Sequence, residues 1–188
     1  SQPDSCWTWA NMEIVAPVDE VHKLLGADAF GEKPYNFTLV DGTSYGVPQF
    51  LWPHILYYRM DKYEENGFGE PSSWDDLVAN AEALNSAPHY GFFTYLKDAH
   101  PKMAWNLMPA FDAYVFDKDG NNSLNSDGAL GALELAAKLF AVSAPGVAGN
   151  DEGAGRTAFI NDLASHMTSS TSFSTGLAGA PDDLLSRV

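Results

Sequence analysis

The sequence is poor in cysteine, in positive charge and in long apolar runs. Cys6 is the only cysteine among 188 residues, so no disulfide can close within the chain and no thiolate cluster can hold a metal. A lone cysteine neither proves nor excludes an oxidising compartment. Ten basic residues face 25 acidic ones, a formal charge of −15. Such a field repels nucleic acid and anionic membrane surfaces, and no nucleic-acid partner is expected. No apolar run approaches the length that spans a bilayer. The sequence also has no Gly-x-Ser-x-Gly elbow, no P-loop and no dinucleotide fingerprint. The five histidines (His22, His54, His89, His100 and His166) show no two- or four-residue spacing, which argues against zinc. Asp117, Asp119 and Asn121 open like a calcium loop, but Asn122 stands where glycine is required and Gly128 where a bidentate Glu should sit. A solvated turn explains them, and neither metal nor cofactor is expected.

What is present is globular: 45% hydrophobic and 19% charged residues, with length for one good-sized domain or one domain plus part of another. Aromatics reach 13%, with five Trp. Core packing accounts for such residues in general, while flat aromatic surfaces also stack well on sugar rings. Composition leaves both open. The chain starts Ser1-Gln2-Pro3, without an initiator Met or leader. Either processing removes a leader, or this is a piece that starts within a longer protein.

Turn chemistry and periodicity place the elements. Asp41-Gly42 predicts a hairpin turn between Phe37–Val40 and Ser44–Val47. Ile55-Leu56-Tyr57-Tyr58 reads as a buried strand. Ser73 is an N-cap, with Asp76 in the first turn and Leu77, Ala81 and Leu84 on one face. Tyr90 to Tyr95 reads as a strand and Pro101 to Ala113 as a helix. Asn125-Ser126 caps a helix from Asp127 to Phe140 with Leu130, Leu133 and Ala137 inward. Arg156 to Asp162 is a short helix, and His166-Met167 begins a strand. The alternation implies an α/β domain, a mixed sheet flanked by helices.

An ordered set of local patterns runs through this frame. It comprises Asp41-Gly42-Thr43-Ser44-Tyr45-Gly46-Val47-Pro48, Ile55-Leu56-Tyr57-Tyr58-Arg59-Met60-Asp61 and Pro71-Ser72-Ser73-Trp74-Asp75-Asp76-Leu77. Tyr90-Gly91-Phe92, Phe116-Asp117-Lys118-Asp119-Gly120 with Leu124-Asn125-Ser126, and Ala158-Phe159-Ile160-Asn161-Asp162 with His166-Met167 follow. In order and spacing these resemble the sugar-type extracellular solute-binding proteins (family 1) of ABC importers, of which the maltose- and glycerol-3-phosphate-binding proteins are examples. The resemblance covers roughly residues 13–188. Two positions depart from it: Asp162 stands where glycine is usual, and Arg59-Met60 where Asn or Lys is usual.

The resemblance implies a periplasmic-binding-protein-like (type II) lobe with part of the other lobe. Residues 1–47 would be a remnant of lobe one plus the hinge strand, and 48–188 most of lobe two. Residues 1–47 would then expose apolar surface near Trp7, Trp9, Val15 and Val40. Ligand would sit in an interlobe cleft that closes by a hinge. Four positions after the hinge-strand Pro the maltose-binding relatives place a cleft residue, which corresponds to Trp52, and Gln49 at the crossover is a polar candidate. His100 and Lys102 follow the Tyr90–Tyr95 strand at the mouth. Ser170, Ser172 and an aromatic at a helix start, Phe173, follow the His166-Met167 strand. Trp7 and Trp9 are further cleft candidates. The expected partners are a small molecule, a sugar or oligosaccharide first, and a membrane permease. The protein would be a monomer, periplasmic or extracellular, and lipid-anchored in its full-length form. A phosphorylated polyol is the second ligand class. A carbohydrate-active enzyme or a sensor on the same fold is the rival, and no cleft-assigned position carries the carboxylate pair that glycoside hydrolysis needs.

Overall fold

The structure, a computed structural model, describes residues 3–26, 29–50, 52–97, 106–117 and 120–188. The chain divides into two compact units, Ser1–Trp52 and Pro53–Val188. The division falls a few residues beyond the 47/48 boundary that the sequence suggests.

The first unit carries helices α1 (Pro3–Asn11), α2 (Asp19–Leu25) and α3 (Glu32–Asn36), then a hairpin of β1 (Leu39–Val40) and β2 (Thr43–Ser44). The hairpin forms where Asp41-Gly42 predicts it. Asp41 has φ 49° and Gly42 φ 80°, the two left-handed residues that a tight two-residue turn needs. The motif after the turn is held by side chains. Ser44 is fully buried, with its Oγ 2.9 Å from Thr38 Oγ1 and 3.0 Å from His22 Nε2. His22 Nε2 also lies 2.9 Å from the Gly46 carbonyl. Trp7 and Trp9 are both exposed on α1, while Val15 and Val40 are half-buried.

The second unit is built on a mixed sheet. β3 (His54–Tyr58) pairs antiparallel with β4 (His166–Ser170), in register from His54↔Ser170 to Tyr58↔His166. Met167 pairs with Tyr57 on one side and bridges Phe93, in parallel, on the other. Tyr90 bridges Ala164 and Phe92 bridges Ser143, also in parallel. The segment 90–95 therefore joins the sheet through single bridges rather than as the regular strand that its sequence predicts.

Adjacent residues on that segment point to opposite faces. After α4 (Met60–Asn66), Phe92 joins a core with Leu77, Val78 and Ala81 of α5 (Trp74–Ala83) and Leu135 and Leu139 of α6 (Asp127–Ala141). Phe93 joins a second core with Tyr57, Phe159 of α7 (Glu152–Ile160), Met167, and Phe173 and Leu177 of α8 (Phe173–Ala178). Helices thus cover both faces of the sheet. Gly91 stands just before Phe92 because α5 comes against the strand there. A Cβ on residue 91 would lie 1.8 Å from the Ala81 carbonyl oxygen.

Helix starts follow local chemistry. Ser73 Oγ accepts from Asp76 N at 3.1 Å, and Ser126 Oγ from Ala129 N at 3.2 Å, as predicted. α7 begins earlier than the expected Arg156, because the Asp151 carboxylate accepts from Ala154 N at 2.9 Å and starts it at Glu152. The expected inner face of α6 is wrong. Leu130, Leu133 and Ala137 point outward, and Ala129, Ala132, Leu135 and Leu139 are buried. α6 is apolar on two faces, and the one carrying the small Ala129 and Ala132 packs into the core with α5 and the Met108–Phe111 turn. Of the helix expected over 101–113, residues 101–105 lie outside the described residues. Its end is a single 3-10 turn, Met108–Phe111.

Candidate functional site

The C-terminal end of β4 carries a connected array of polar side chains within the second unit. The strand reads His-Met-Thr-Ser-Ser, and its pairing with β3 fixes Ser169 and Ser170 near the edge where β3 begins. The Arg156 side chain reaches over that end from α7. Its Nε donates to Ser169 Oγ at 2.9 Å, and its Nη2 to Ser170 Oγ at 2.8 Å and Ser172 Oγ at 3.2 Å. Glu152, one helical turn earlier, accepts from Arg156 Nη2 at 2.8 Å. The same Glu152 oxygen accepts from Ser169 Oγ at 2.7 Å and from Ser170 N at 3.1 Å. Ser170 and Ser172 hydroxyls lie 2.7 Å apart and complete the array.

Electrostatics follow from this geometry. Burial alone would raise the Glu152 pKa, but the bonds from Ser169, Ser170 N–H and Arg156 outweigh it and hold the carboxyl at about 2. Glu152 is therefore ionised across the physiological range and cannot act as a proton donor there. The Arg156 guanidinium carbon stands 5.4 Å from the centre of the Phe173 ring. Its Nη1 makes no bond to any described residue, and the side chain is 30% exposed. A fixed cation thus keeps one pair of N–H donors free beside the half-buried Ser172 hydroxyl, while Ser169 and Ser170 are buried and hold the guanidinium in place.

The sequence-nominated residues fare differently. Ser170 and Ser172 are in the array. Phe173 is not a platform. Its ring is 1% exposed, edge-on to Tyr57 at 5.1 Å and Phe159 at 5.9 Å, with Arg156 over it. The ring sits at the first turn of α8, where the chain folds back onto the core, so its faces are already occupied. His100 and Lys102 lie outside the described residues, as does Trp105. In the first unit Gln49 is exposed, and Trp52 is 58% exposed, stacked on Phe50 at 5.4 Å and 17°. Trp52 is therefore a surface ring, not a buried one. Phe50, itself 68% exposed, had gone unnoticed in the sequence. Exposed aromatics two residues apart in an extended segment were the available signal.

Glu152 and Arg156 were missed as well. A Glu–Arg pair four residues apart on a helix reads as a solvated surface pair, and only its placement over β4 shows otherwise. One more constellation invites a catalytic reading. His89 Nε2 lies 2.6 Å from Ser165 Oγ, and His89 Nδ1 lies 2.7 Å from the Asp162 carbonyl oxygen. Ser165 is fully buried, and His89 Nδ1 has the Asp162 carboxylate 3.5 Å away as well as its carbonyl oxygen. A nucleophile needs a face that substrate can reach, so this is a structural clamp. No helix among the described residues is long and apolar enough to cross a membrane.

Comparison with known proteins agrees with the geometry. The maltodextrin-binding protein MdxE of Bacillus subtilis is 31% identical over 122 residues, covering 60% of this chain and 28% of MdxE. Among solved structures, T. maritima MalE3 with maltose bound superposes with a TM-score of 0.79 at 22% identity, over 92% of this chain and 46% of that one. UgpB from Mycobacterium tuberculosis, in complex with glycerophosphocholine, gives 0.77 at 16% identity, over 94% and 46%. The fold is that of the type II binding proteins, and the chain spans about half the length of these solved relatives. The family model described as "Bacterial extracellular solute-binding protein" matches residues 7–180. With that match across nearly the whole chain, the hydroxyl-lined strand end belongs to a member of the bacterial extracellular solute-binding proteins.

Proposed function

We propose that this chain is the ligand-gripping part of the substrate-binding component of an ABC importer, and that its ligand is a neutral sugar or polyol. The observation that supports this best is the array at the end of β4. A partly exposed guanidinium and the half-buried Ser172 hydroxyl are fixed side by side, the buried Ser169 and Ser170 hold them, and Glu152 balances the guanidinium charge. Ring and chain hydroxyls both donate and accept, and such a mixture of donors and acceptors suits them. In the first unit, by itself, the exposed Phe50–Trp52 pair offers an apolar face of the kind on which sugar rings stack. MdxE and MalE3 are named for maltodextrin and solved with maltose respectively.

A phosphorylated polyol is the second reading. The free Nη1 donors of Arg156 and the glycerophosphocholine bound to UgpB favour it. No turnover is proposed. Glycoside hydrolysis uses two carboxyl groups flanking the bond, and Glu152 is the single acid bonded within the array among the described residues. The importer role brings a membrane permease as partner, a location outside the cytoplasm, a monomeric state and no dealings with nucleic acid. Lipid anchoring of a longer form belongs to the same proposal.

Saturation-transfer NMR with millimolar maltose, ribitol and mannitol on the 188-residue chain is the direct test, because it reads weak binding. Saturation of at least one neutral probe is expected. Saturation confined to sn-glycerol 3-phosphate would replace the first reading with the second.

A further inference from the structure

We propose that the Glu152–Arg156 pair sets the charge of the ligand accepted at the end of β4, admitting a neutral hydroxylated molecule and rejecting a phosphorylated one. This step rests on the sugar-or-polyol reading above and assigns the discrimination to two residues that the sequence did not single out.

The guanidinium cannot swing away to meet an anion on its own terms. Ser169, Ser170 and Ser172 hold it along one edge, and the Phe173 ring lies beneath it at 5.4 Å. What it offers is Nη1, whose two N–H groups can bridge a pair of neighbouring hydroxyl oxygens as a planar fork. A phosphate on those same donors would carry its charge close to the Glu152 carboxylate, which sits 2.8 Å from Nη2 of the same guanidinium. With the guanidinium charge already balanced by that carboxylate, an anion gains little there and still gives up its hydration, a loss that a neutral hydroxyl is spared. Glu152 is itself fixed by Ser169 Oγ and Ser170 N. It therefore acts as a permanent negative charge behind the donors rather than a mobile one.

Glu152→Gln tests this because it removes the charge and leaves an acceptor for Ser169 and Ser170. Titrations followed by saturation-transfer NMR would use ribitol, maltose and sn-glycerol 3-phosphate, with thermal melts to show that each protein is folded. In the wild type the neutral probes should bind and glycerol 3-phosphate should bind at least about tenfold more weakly. In Glu152→Gln glycerol 3-phosphate should gain about tenfold while the neutral probes change by less than about threefold, because only the anion meets the carboxylate. Arg156→Gln should lose at least about fivefold for the neutral probes, and it carries the test should Glu152→Gln fail to fold.

If the neutral probes bind and both variants leave all affinities unchanged, the pair is only structural and this inference falls while the sugar reading stands. If no neutral probe binds the wild type but Glu152→Gln gains glycerol 3-phosphate, the sugar reading falls and the charge filter stands. Wild-type binding of glycerol 3-phosphate as tight as that of ribitol overturns the filter. Silence from every probe in all three proteins overturns both.

Discussion

Arg59 and Asp162, 103 residues apart in the chain, meet through a 2.7 Å bond from Nη1 to Oδ1. Both are positions where the sequence departs from the pattern it otherwise resembles. Arg59 is 4% exposed and is also gripped by Asp61, Nε to Oδ1 at 2.8 Å and Nη2 to Oδ2 at 2.6 Å. Asp162 holds φ 58°, the left-handed region where glycine is at ease and where Asp is tolerated. The departures are coupled: a side chain at 162 accepts some backbone strain and supplies the second carboxylate for a buried guanidinium.

The backbone and charge contributions at 162 can be separated. Asp162→Gly relaxes the backbone but loses the ion pair, and the two effects should nearly cancel, leaving a change of about 1 kcal/mol or less. Asp162→Ala keeps the strained backbone and loses the pair, so it should be less stable than Asp162→Gly by about 1 kcal/mol. Arg59→Ala leaves Asp61 with Arg187 Nη1 at 3.2 Å and the Lys62 N–H, and should cost up to about 3 kcal/mol. Urea melts of the three variants read these differences directly. Equal losses for Gly and Ala would show that the left-handed conformation carries no strain.

The two faces of α6 give a second, local comparison. Leu135→Ala opens a cavity in the core and should cost about 2–4 kcal/mol. Leu133→Ala, at 54% exposure, should change stability by no more than about 0.5 kcal/mol. The reverse order in thermal melts would restore the face that the sequence suggested.

That helix shows where reading a sequence stops. Signals that are local were legible: the Asp41-Gly42 turn, the Ser73 and Ser126 caps, and the β3 strand. α6 was not, because it has an apolar stripe on each of two faces and periodicity cannot choose between them. The choice is made by close approach to the Met108–Phe111 turn and α5, which favours small residues. The site divides in the same way. Ser170 and Ser172 could be nominated because they follow a recognisable strand, and they lie beside Arg156. Arg156 and Glu152 were hidden because their meaning lies in β4, a segment that begins after α7 has ended. Phe173 was misread because an aromatic at a helix start carries no mark of which way it faces.

Acid should loosen the second unit in two successive windows. His166 is buried, with Nδ1 2.6 Å from the Gly91 carbonyl and Nε2 2.7 Å from Tyr63 Oη. Burial pushes its pKa from 6.5 down to about 4, against the Gly91 bond, which acts to raise it. The unfolded chain therefore binds a proton before the folded one, and stability falls as pH drops from 6.5 to about 4. The full loss from this residue should approach roughly 3 kcal/mol. Glu152 is also depressed, from 4.5 to about 2, so its stabilisation is present above 4.5 and fades on acidification towards about 2. Urea midpoints measured from pH 7 to pH 3 should show the first decline, and His166→Gln should flatten it. A wild-type curve that is level between pH 6.5 and 4 would show that His166 protonates without cost in the fold.

Trp52 separates a binding role from a packing role. At 58% exposure, and stacked only on Phe50 among described rings, it contributes little to the first unit's core. Trp52→Ala should therefore shift the melting curve by the equivalent of about 0.5 kcal/mol or less. If the ring meets a sugar, its loss removes roughly 1–2 kcal/mol of contact, a weakening of about tenfold or more. Phe50→Ala should act in the same direction and more weakly, because it both supports the indole and offers a smaller face. Trp52→Phe keeps a flat apolar surface and should retain most of the affinity. The measurement is a maltose titration of the wild type and the three variants, on the 188-residue chain and on any longer form of the protein. Unfolding by Trp52→Ala, with no binding change in a folded Trp52→Phe, would make Trp52 a structural ring. A stable Trp52→Ala with unaltered binding would leave the exposed pair without a ligand role.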